Sequence, residues 1–445
     1  MDNFINISLL IIIFIFGYYH VYKNYRNFDL LEIFVISYIL FFDVYTLLNI
    51  IDGVNKFKNE FIFLFTLFIV FSSLLLFLFL FKIFINKKLR LLMTYQEFIK
   101  HANYVSINTI FALFISIAIV IGYYFLQFHL FGNVYTYNNK IILNGYGIIL
   151  SSFLLPLFYL IISVSMIKYL NSKKYNKIIF LLNGIIFLIL FSYTRRAFFE
   201  AILLTITLYA YVKNFNIASI KSKNIILLIL VGFMFIVGSN LFQNIRGNYT
   251  KFAIGKFHYK KPSILKMMFD FKISEQDLKA RQSLFSLDYN VVKKMVYSKK
   301  KPLLGKIILQ SVINIIPRII YPDKRVITDN NIIANHFNLK RTDYPINIIL
   351  EFIACFGLIA SIIIYPIFMM VYLVFFIFLL KVFKKNNLSF IIIFIVLYDV
   401  LFNVQMPLEY LWVSIRNIFI FIFIFQSISF LKKIVHSTHK TIINQ

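Results

Sequence analysis

Long apolar runs recur along most of this chain, separated by shorter polar segments. Each run has about the length that an α-helix needs to cross a hydrocarbon core of roughly 30 Å. The pattern predicts an all-α integral membrane protein with about eleven transmembrane helices. The predicted helices cover residues 4–22, 30–50, 61–81, 105–126, 146–167, 178–193, 197–212, 224–242, 347–380, 388–404 and 412–431.

The spacing of these runs also predicts how the chain is organised. A single helix over residues 178–212 would overshoot the bilayer, so Ser192–Arg196 is interpreted as a tight hairpin between two helices. Residues 1–243 then hold helices 1–8, residues 244–346 form one long loop, and residues 347–445 hold helices 9–11 and a short tail.

Composition narrows the class of protein. Hydrophobic residues make up 60% of the chain and charged residues only 14%, which excludes an ordinary soluble multidomain protein. The net charge of +28 comes mainly from loop lysines in a chain rich in Asn, Ile, Lys, Phe and Tyr. We interpret it as a basic surface beside anionic lipid headgroups, not as a nucleic-acid site. The lone Cys355 can form no intramolecular disulfide.

Basic residues in the short loops predict the orientation of the helices. One alternating set of loops holds 20 Lys and Arg residues, whereas the opposite set holds five. Because positively charged loops stay in the cytoplasm, the first set is predicted to be cytoplasmic. The amino terminus then lies outside, the carboxyl terminus lies inside, and the long loop faces outward. The first run lacks a preceding basic region and a cleavage site, so we expect a retained span.

Charged residues within the spans concentrate in the predicted outer halves. They are Asp43, Glu200, Glu351, Asp399 and Arg416. A charge at the centre of a span costs about 2.5–3.5 kcal/mol on insertion scales, so it normally persists for a reason. Each could belong to an interhelical salt bridge, and Arg196 could pair with Glu200 four residues later. As a set they predict a polar cavity that opens outward, because the inner halves are nearly free of charge.

The long loop contains an amphipathic segment. Lys306, Gln310 and Asn314 recur every fourth residue within the apolar segment 303–316. This spacing places them on one face of a helix, which we expect to lie on or dip into the outer leaflet. Pro317 ends the pattern. With 20 Lys and Arg against seven Asp and Glu, the loop would form a basic cap.

The arginines and the absence of common motifs limit the kinds of ligand and reaction that we expect. Arginine offers a planar fork that binds phosphate oxygens bidentately, although surface solvation or headgroup contact remains an alternative for each residue. The candidates are Arg195, Arg196, Arg246, Arg318, Arg325, Arg341 and Arg416. The chain has no G-x-x-x-x-G-K-[ST], H-E-x-x-H or C-x-x-C motif, so nucleotide hydrolysis and zinc sites lack sequence support. We expect metal-independent chemistry without a cofactor.

Several short motifs occur in a recognisable order. TRRA lies at the predicted hairpin, INIIPRII lies in the long loop, and a His-Phe-Asn element precedes DYPINIILEFIACFGLIAS. In this order the chain resembles the oligosaccharide repeat-unit polymerase (O-antigen polymerase) family of bacterial envelope polysaccharide synthesis. The segment Tyr344–Ser361 is the part most similar to the family pattern.

The resemblance implies a glycosyltransferase-type enzyme in the bacterial plasma membrane that joins polyprenyl-pyrophosphate-linked oligosaccharides on the outer side, making an O-antigen or capsule. Such chemistry needs cations for the pyrophosphate leaving group and a general base for the acceptor hydroxyl. The expected pyrophosphate and glycan ligands are Arg195, Arg196, Arg318, Arg341 and Asn347. Glu351 and His336 are the expected catalytic residues, as a base or its orienter. Expected partners are membrane lipids, a chain-length regulator and a flippase.

Two other functions fit parts of the pattern. A flippase that moves lipid-linked glycans would be expected to spread polar residues through both leaflets and to show internal repeats, and no repeat is visible here. The related O-antigen ligase passes finished glycan to a different lipid acceptor. It would need the same arginines and base, so the sequence leaves polymerase and ligase barely distinguished.

Overall fold

A computed structural model shows a helical protein. It describes residues 4–24, 29–44, 46–47, 50, 57, 59–106, 108–115, 145–171, 176–193, 195–213, 284–316, 321, 329–339, 346–404 and 406–443. Within these residues every regular element is a helix, and Asp29 and Thr94 form an isolated β-bridge. The predicted all-α class is therefore confirmed for the part of the chain that is described.

The chain folds into two compact units. Unit 1 combines Met1–His101 with Gln282–Gln445, and unit 2 is Ala102–Arg281. The predicted spans 224–242 and most of 105–126 lie outside the described residues, although residues 108–115 are helical.

Four helices form the first part of the chain: α1 (Phe4–Asn24), α2 (Leu30–Tyr38), α3 (Glu60–Phe84) and α4 (Tyr95–Tyr104). A π-helical turn, Ile39–Val44, continues α2. Gly17 of α1 lies directly against this turn, because a Cβ atom at Gly17 would come within 1.7 Å of the Ile39 Cδ1 atom. Only glycine allows this close approach of α1.

Unit 2 contains three long helices that pack against one another: α5 (Gly145–Asn171), α6 (Asn176–Tyr193) and α7 (Arg195–Val212). Helix α6 ends at Tyr193 and α7 begins at Arg195. This division falls inside the segment where the sequence predicts a hairpin.

The long loop contributes three described helices: α8 (Leu284–Tyr297), α9 (Lys306–Ile315) and α10 (Asp329–Phe337). Helix α9 lies where the amphipathic helix is predicted. The sequence analysis missed α8 and α10. Helix α8 buries Phe285, Leu287, Val291 and Val292 against unit 1, so this part of the loop belongs to the core.

The last four helices are α11 (Ile348–Phe356), α12 (Leu358–Val382), α13 (Asn387–Phe402) and α14 (Leu408–Ile443). The prediction of one helix over 347–380 is wrong, because Gly357 adopts φ 88° and ψ −179° between α11 and α12. The backbone N–H groups of Leu303 and Leu304 donate to the carbonyls of Ala354 and Cys355 at 2.8 and 2.9 Å. These bonds satisfy carbonyl groups left without partners at the end of α11.

Helix α13 lies at the centre of unit 1. Every residue from Ser389 to Phe402 is buried, as expected for a helix that is apolar all round. It packs against α2, α12 and α14, while α12 also packs along α3.

Four described helices are long and apolar enough to cross a membrane. They are Glu60–Phe84, Leu154–Asn171, Leu358–Lys385 and Leu408–Ser427. Large apolar side chains on their surfaces, such as Phe61, Phe79 and Phe423, are exposed in the structure. This is the surface that a hydrocarbon environment would cover, and we describe the chain as a membrane protein.

Candidate functional site

Unit 1 has two polar ends, which the helix α3 separates by about 37 Å at 1.5 Å per residue. At one end Asn59, the N-cap of α3, donates from its backbone N–H to Tyr289 Oη at 3.2 Å and from Nδ2 to Tyr297 Oη at 2.5 Å. Both tyrosines belong to α8, and we call this the α8 end. At the other end Arg90 follows α3 and contacts Asp29, the N-cap of α2. We call this the Arg90 end.

At the α8 end, Glu351 caps a neighbouring helix. It lies in the first turn of α11 and is 1% exposed. Its Oε2 atom accepts a hydrogen bond from the backbone N–H of Leu408 at 2.6 Å. Leu408 begins α14, where backbone N–H groups lack partners within the helix and the helix dipole is positive. The structure thus supplies a reason for a carboxylate in a buried apolar helix.

Asn347 joins α11 to α8. Its Oδ1 atom accepts from the backbone N–H of Leu350 at 2.7 Å, which caps α11. Its Nδ2 atom donates to both carboxylate oxygens of Asp288 at 3.0 and 3.2 Å. Burial raises the pKa of Asp288 to about 8, although the bond from Asn347 acts in the opposite direction. A sugar-binding role for Asn347 stays a prediction; within the protein its amide makes these structural contacts.

Two tyrosines connect α14 to its neighbours. Tyr410 Oη donates to Asp399 Oδ2 on α13 at 2.5 Å, and Asp399 is 1% exposed. One turn further along α14, Ser414 Oγ lies 2.7 Å from Tyr372 Oη on α12, and both residues are buried. Tyr410 is partly exposed. The Tyr410 hydroxyl therefore links the buried Asp399 carboxylate to a more accessible position.

Helix α9 packs on α14 through its polar face. Gln310 Nε2 donates to Asn314 Oδ1 at 3.0 Å, and Asn314 Nδ2 donates to Glu409 Oε2 at 3.2 Å. The partly exposed Arg416 donates from Nη1 to the backbone carbonyl of Ile315 at 3.3 Å. Its Nε and Nη2 atoms donate to Asn417 Oδ1. The guanidinium group is thus fixed at the end of α9.

Several apolar side chains on and beside α9 point away from the protein, although Ile307 is buried. Leu309 is 65% exposed and Leu304, in the turn before the helix, is 86% exposed. Leu304 also has φ 49°, a conformation that costs a non-glycine residue about 1 kcal/mol or more. This arrangement is the reverse of a soluble amphipathic helix, and it agrees with the expectation that α9 contacts lipid.

The remaining predicted residues belong to other helices or lie outside the described residues. His336 in α10 has Nε2 2.7 Å from the carbonyl oxygen of Lys301, and its ring packs edge-on to Phe337. Arg195 and Arg196 begin α7 in unit 2, where Glu200 is buried and accepts a hydrogen bond from Tyr159. The predicted ligands Arg318 and Arg341 lie outside the described residues. Among the predicted residues, the structure brings Asn347 and Glu351 together on α11.

Buried charge also occurs at the Arg90 end, where the sequence analysis expected nearly none. The side chains of Asp29 and Glu32 are fully buried, and Arg90 contacts them at 2.5 and 3.0 Å. Burial lowers the pKa of Arg90, but the two carboxylates outweigh it and raise the pKa above its usual value. Buried charges therefore occur at both ends of unit 1 and not only at the predicted outer end. The sequence reasoning overlooked Glu32, which lies near the start of its predicted span.

Sequence reasoning also missed Asp288, Glu409 and Tyr410. A signal for α8 was present, because Phe285, Val292 and Met295 repeat with helical spacing around Asp288. No comparable signal marked Tyr410, because its partner Asp399 is on another helix.

The α8 end combines groups with complementary chemistry. Carboxylates can accept protons, amides can bind hydroxyl groups, and a guanidinium can bind an anion. We call the polar residues of these contacts the α8-end network: Asp288, Asn314, Asn347, Glu351, Asp399, Glu409, Tyr410 and Arg416. Among the described residues, no three His, Cys, Asp or Glu side chains are grouped as a metal site would require. No family model, curated protein or solved structure matches the chain.

Proposed function

We propose that this protein is a polymerase that joins lipid-linked oligosaccharide repeat units into a surface polysaccharide of the O-antigen or capsule type. The donor is a glycan on polyprenyl pyrophosphate, and the transfer needs no metal. In this proposal the chain crosses the bacterial plasma membrane about eleven times, with the α8 end outside and the carboxyl terminus in the cytoplasm.

The observation that carries the proposal is the α8-end network beneath α9. A transfer between two lipid-linked glycans needs hydroxyl-binding groups, a proton acceptor and cationic stabilisation beside the bilayer. The network offers carboxylates, amides and Arg416 on helices that pack against one another at the same end of unit 1. In this proposal lipid contacts the exposed apolar side chains of α9, the same helix whose Asn314 bonds to Glu409.

Some of the proposed residue roles come from the family resemblance and others from contacts in the structure. The roles of Arg195, Arg196, Arg318 and Arg341 as pyrophosphate ligands rest on the resemblance and remain predictions. So does the role of His336 as a base. Glu351 is better suited to orient other groups than to accept a proton itself, because one of its oxygens is held by the backbone of Leu408.

A flippase is the second candidate function. The polar groups at the two ends of unit 1 can be compared with those that a transport path would need. A transport path would require groups that bind the polar glycan at both ends. At the Arg90 end, Arg90 forms ion pairs with both buried carboxylates, Asp29 and Glu32, as expected of a structural ion cluster. This arrangement favours chemistry at one membrane face over transport across it.

Deletion of the gene in its host, followed by electrophoresis of envelope glycans, tests the proposal. Loss of long chains with single repeat units still at the surface is the expected result. Accumulation of units on the cytoplasmic side would instead identify a flippase, and intact chains that fail to reach their final lipid acceptor would identify a ligase.

Complementation sharpens this test. Arg416→Ala should fail to restore long chains, whereas Lys384→Ala, an exposed residue at the Arg90 end, should restore them. Equal restoration by both variants at equal protein levels would remove the α8-end network from the proposal.

A further inference from the structure

Asp399 and Tyr410 form a short hydrogen bond between the two last helices of unit 1. Asp399 is 1% exposed on α13, and its Oδ2 atom lies 2.5 Å from the Tyr410 hydroxyl on α14. Tyr410 is partly exposed, so it is the more accessible residue of the pair.

Glu351 fixes the position of this pair. It caps the start of α14 at Leu408, two residues before Tyr410. The backbone N–H of Tyr410 in turn donates to the carbonyl of Pro407 at 2.9 Å. The first turn of α14 is thus held by the Glu351 side chain and by a backbone hydrogen bond of its own. These two contacts help to orient the Tyr410 ring.

We propose that Tyr410 and Asp399 act together as the proton acceptor for the acceptor hydroxyl, with Glu351 as a positioning residue. This inference rests on the proposed polymerase function. It assigns the acid–base step to residues that the sequence analysis did not place in that role, and it uses Glu351 to hold them.

The acceptor hydroxyl gives its proton to Tyr410 Oη as Tyr410 gives its own proton to Asp399 Oδ2. The acceptor oxygen forms a bond to the anomeric carbon of the donor, and the bond from that carbon to the pyrophosphate oxygen breaks. The electron pair leaves with the pyrophosphate, and the proton on Asp399 returns to solvent along the same path after the product departs.

The structure supplies a matched control in the same helices. Tyr372 on α12 and Ser414 on α14 form a 2.7 Å hydrogen bond that is fully buried. Tyr372→Phe removes a buried hydroxyl that bonds α12 to α14, and Tyr410→Phe removes a hydroxyl that bonds α14 to α13. It leaves the Tyr410–Asp399 bond intact, so a purely structural effect of losing a tyrosine hydroxyl should appear in both variants.

The experiment measures polymerisation by the full-length protein in proteoliposomes, using lipid-linked repeat units extracted from a host that lacks the gene. General acid–base groups contribute about 10²- to 10⁴-fold, so Tyr410→Phe and Asp399→Asn should each lower kcat by that factor with little change in KM. The double variant should be no slower than either single variant, because the two residues act as a unit. Tyr372→Phe should remain within about threefold of the wild type.

Three results would overturn the inference while leaving the proposed function in place. They are a Tyr410→Phe variant with nearly wild-type kcat, equal losses in the Tyr372 and Tyr410 variants, and single losses that multiply in the double variant. Failure of the wild-type protein to make any polymer from the extracted units would overturn the proposed function and this inference together.

Discussion

Replacement of Glu351 tests how the structure uses a carboxylate inside an apolar helix. In Glu351→Ala the buried backbone N–H of Leu408 loses its 2.6 Å partner. Loss of a buried hydrogen bond to a charged group costs about 1.5–3 kcal/mol of unfolding free energy. Glu351→Gln keeps an oxygen at nearly the same position and loses only the attraction between a negative charge and the helix dipole. That loss is about 0.3–1 kcal/mol, rising to about 2 kcal/mol in a partly buried site.

The single tryptophan of the chain provides the assay. Trp412 lies four residues after Leu408 on α14, with its ring centroid 6.2 Å from that of Phe368 on α12. Its fluorescence therefore reports on the segment that Glu351 caps. In denaturant titrations of the purified protein in detergent, we expect stability to fall in the order wild type, Glu351→Gln, Glu351→Ala. Equal losses in both variants, or none in either, would refute the capping argument.

Three further predictions concern stability. Arg90→Met leaves two buried carboxylates without their cation and should cost about 3–5 kcal/mol. Lys100→Met removes a cation whose side chain is 58% exposed, and should cost under about 1 kcal/mol by the same titration. Burial raises the pKa of Asp288 to about 8, whereas the pKa of an aspartate in the unfolded chain is about 3.9. The contribution of Asp288 to the free energy of unfolding is therefore complete below about pH 3.9 and is lost as the pH rises toward 8. Asp288→Asn should flatten that decline, and an unchanged pH profile of the unfolding midpoint would contradict it. Gly357→Ala should destabilise by roughly 1–3 kcal/mol because of its φ of 88°, whereas Gly184→Ala, in open space on α6, should be neutral or stabilising in thermal unfolding.

The sequence predicted most helices because apolar runs of membrane length are a strong signal. The helices α1, α3, α5, α6, α7, α13 and α14 all begin close to the predicted positions. The division of α6 from α7 was also predictable from length alone. Run length could not reveal the break at Gly357, because both sides of it are equally apolar. The break depends on a backbone conformation and on hydrogen bonds from Leu303 and Leu304, far away in sequence.

The candidate site was only partly predictable for a similar reason. Intramembrane charges such as Glu351, Asp399 and Arg416 stand out in an apolar sequence. Their partners do not, because each is supplied by a different helix: the Leu408 backbone, Tyr410 and the Ile315 carbonyl. A carboxylate that caps a helix also cannot be told from a reactive carboxylate by sequence. The distinction depends on which group donates a hydrogen bond to the carboxylate oxygen.

Cysteine accessibility tests most directly whether the α8 end faces outward. Lys306, on α9 at the α8 end, and Lys384, at the Arg90 end, both have exposed side chains, whereas the single native Cys355 is fully buried. Lys306→Cys and Lys384→Cys can therefore be labelled against a low background with a membrane-impermeant maleimide on intact cells. The account predicts labelling of Lys306→Cys alone, with labelling of Lys384→Cys only after the cells are opened. Labelling of Lys384→Cys alone on intact cells would place the α8-end network in the cytoplasm and contradict the account.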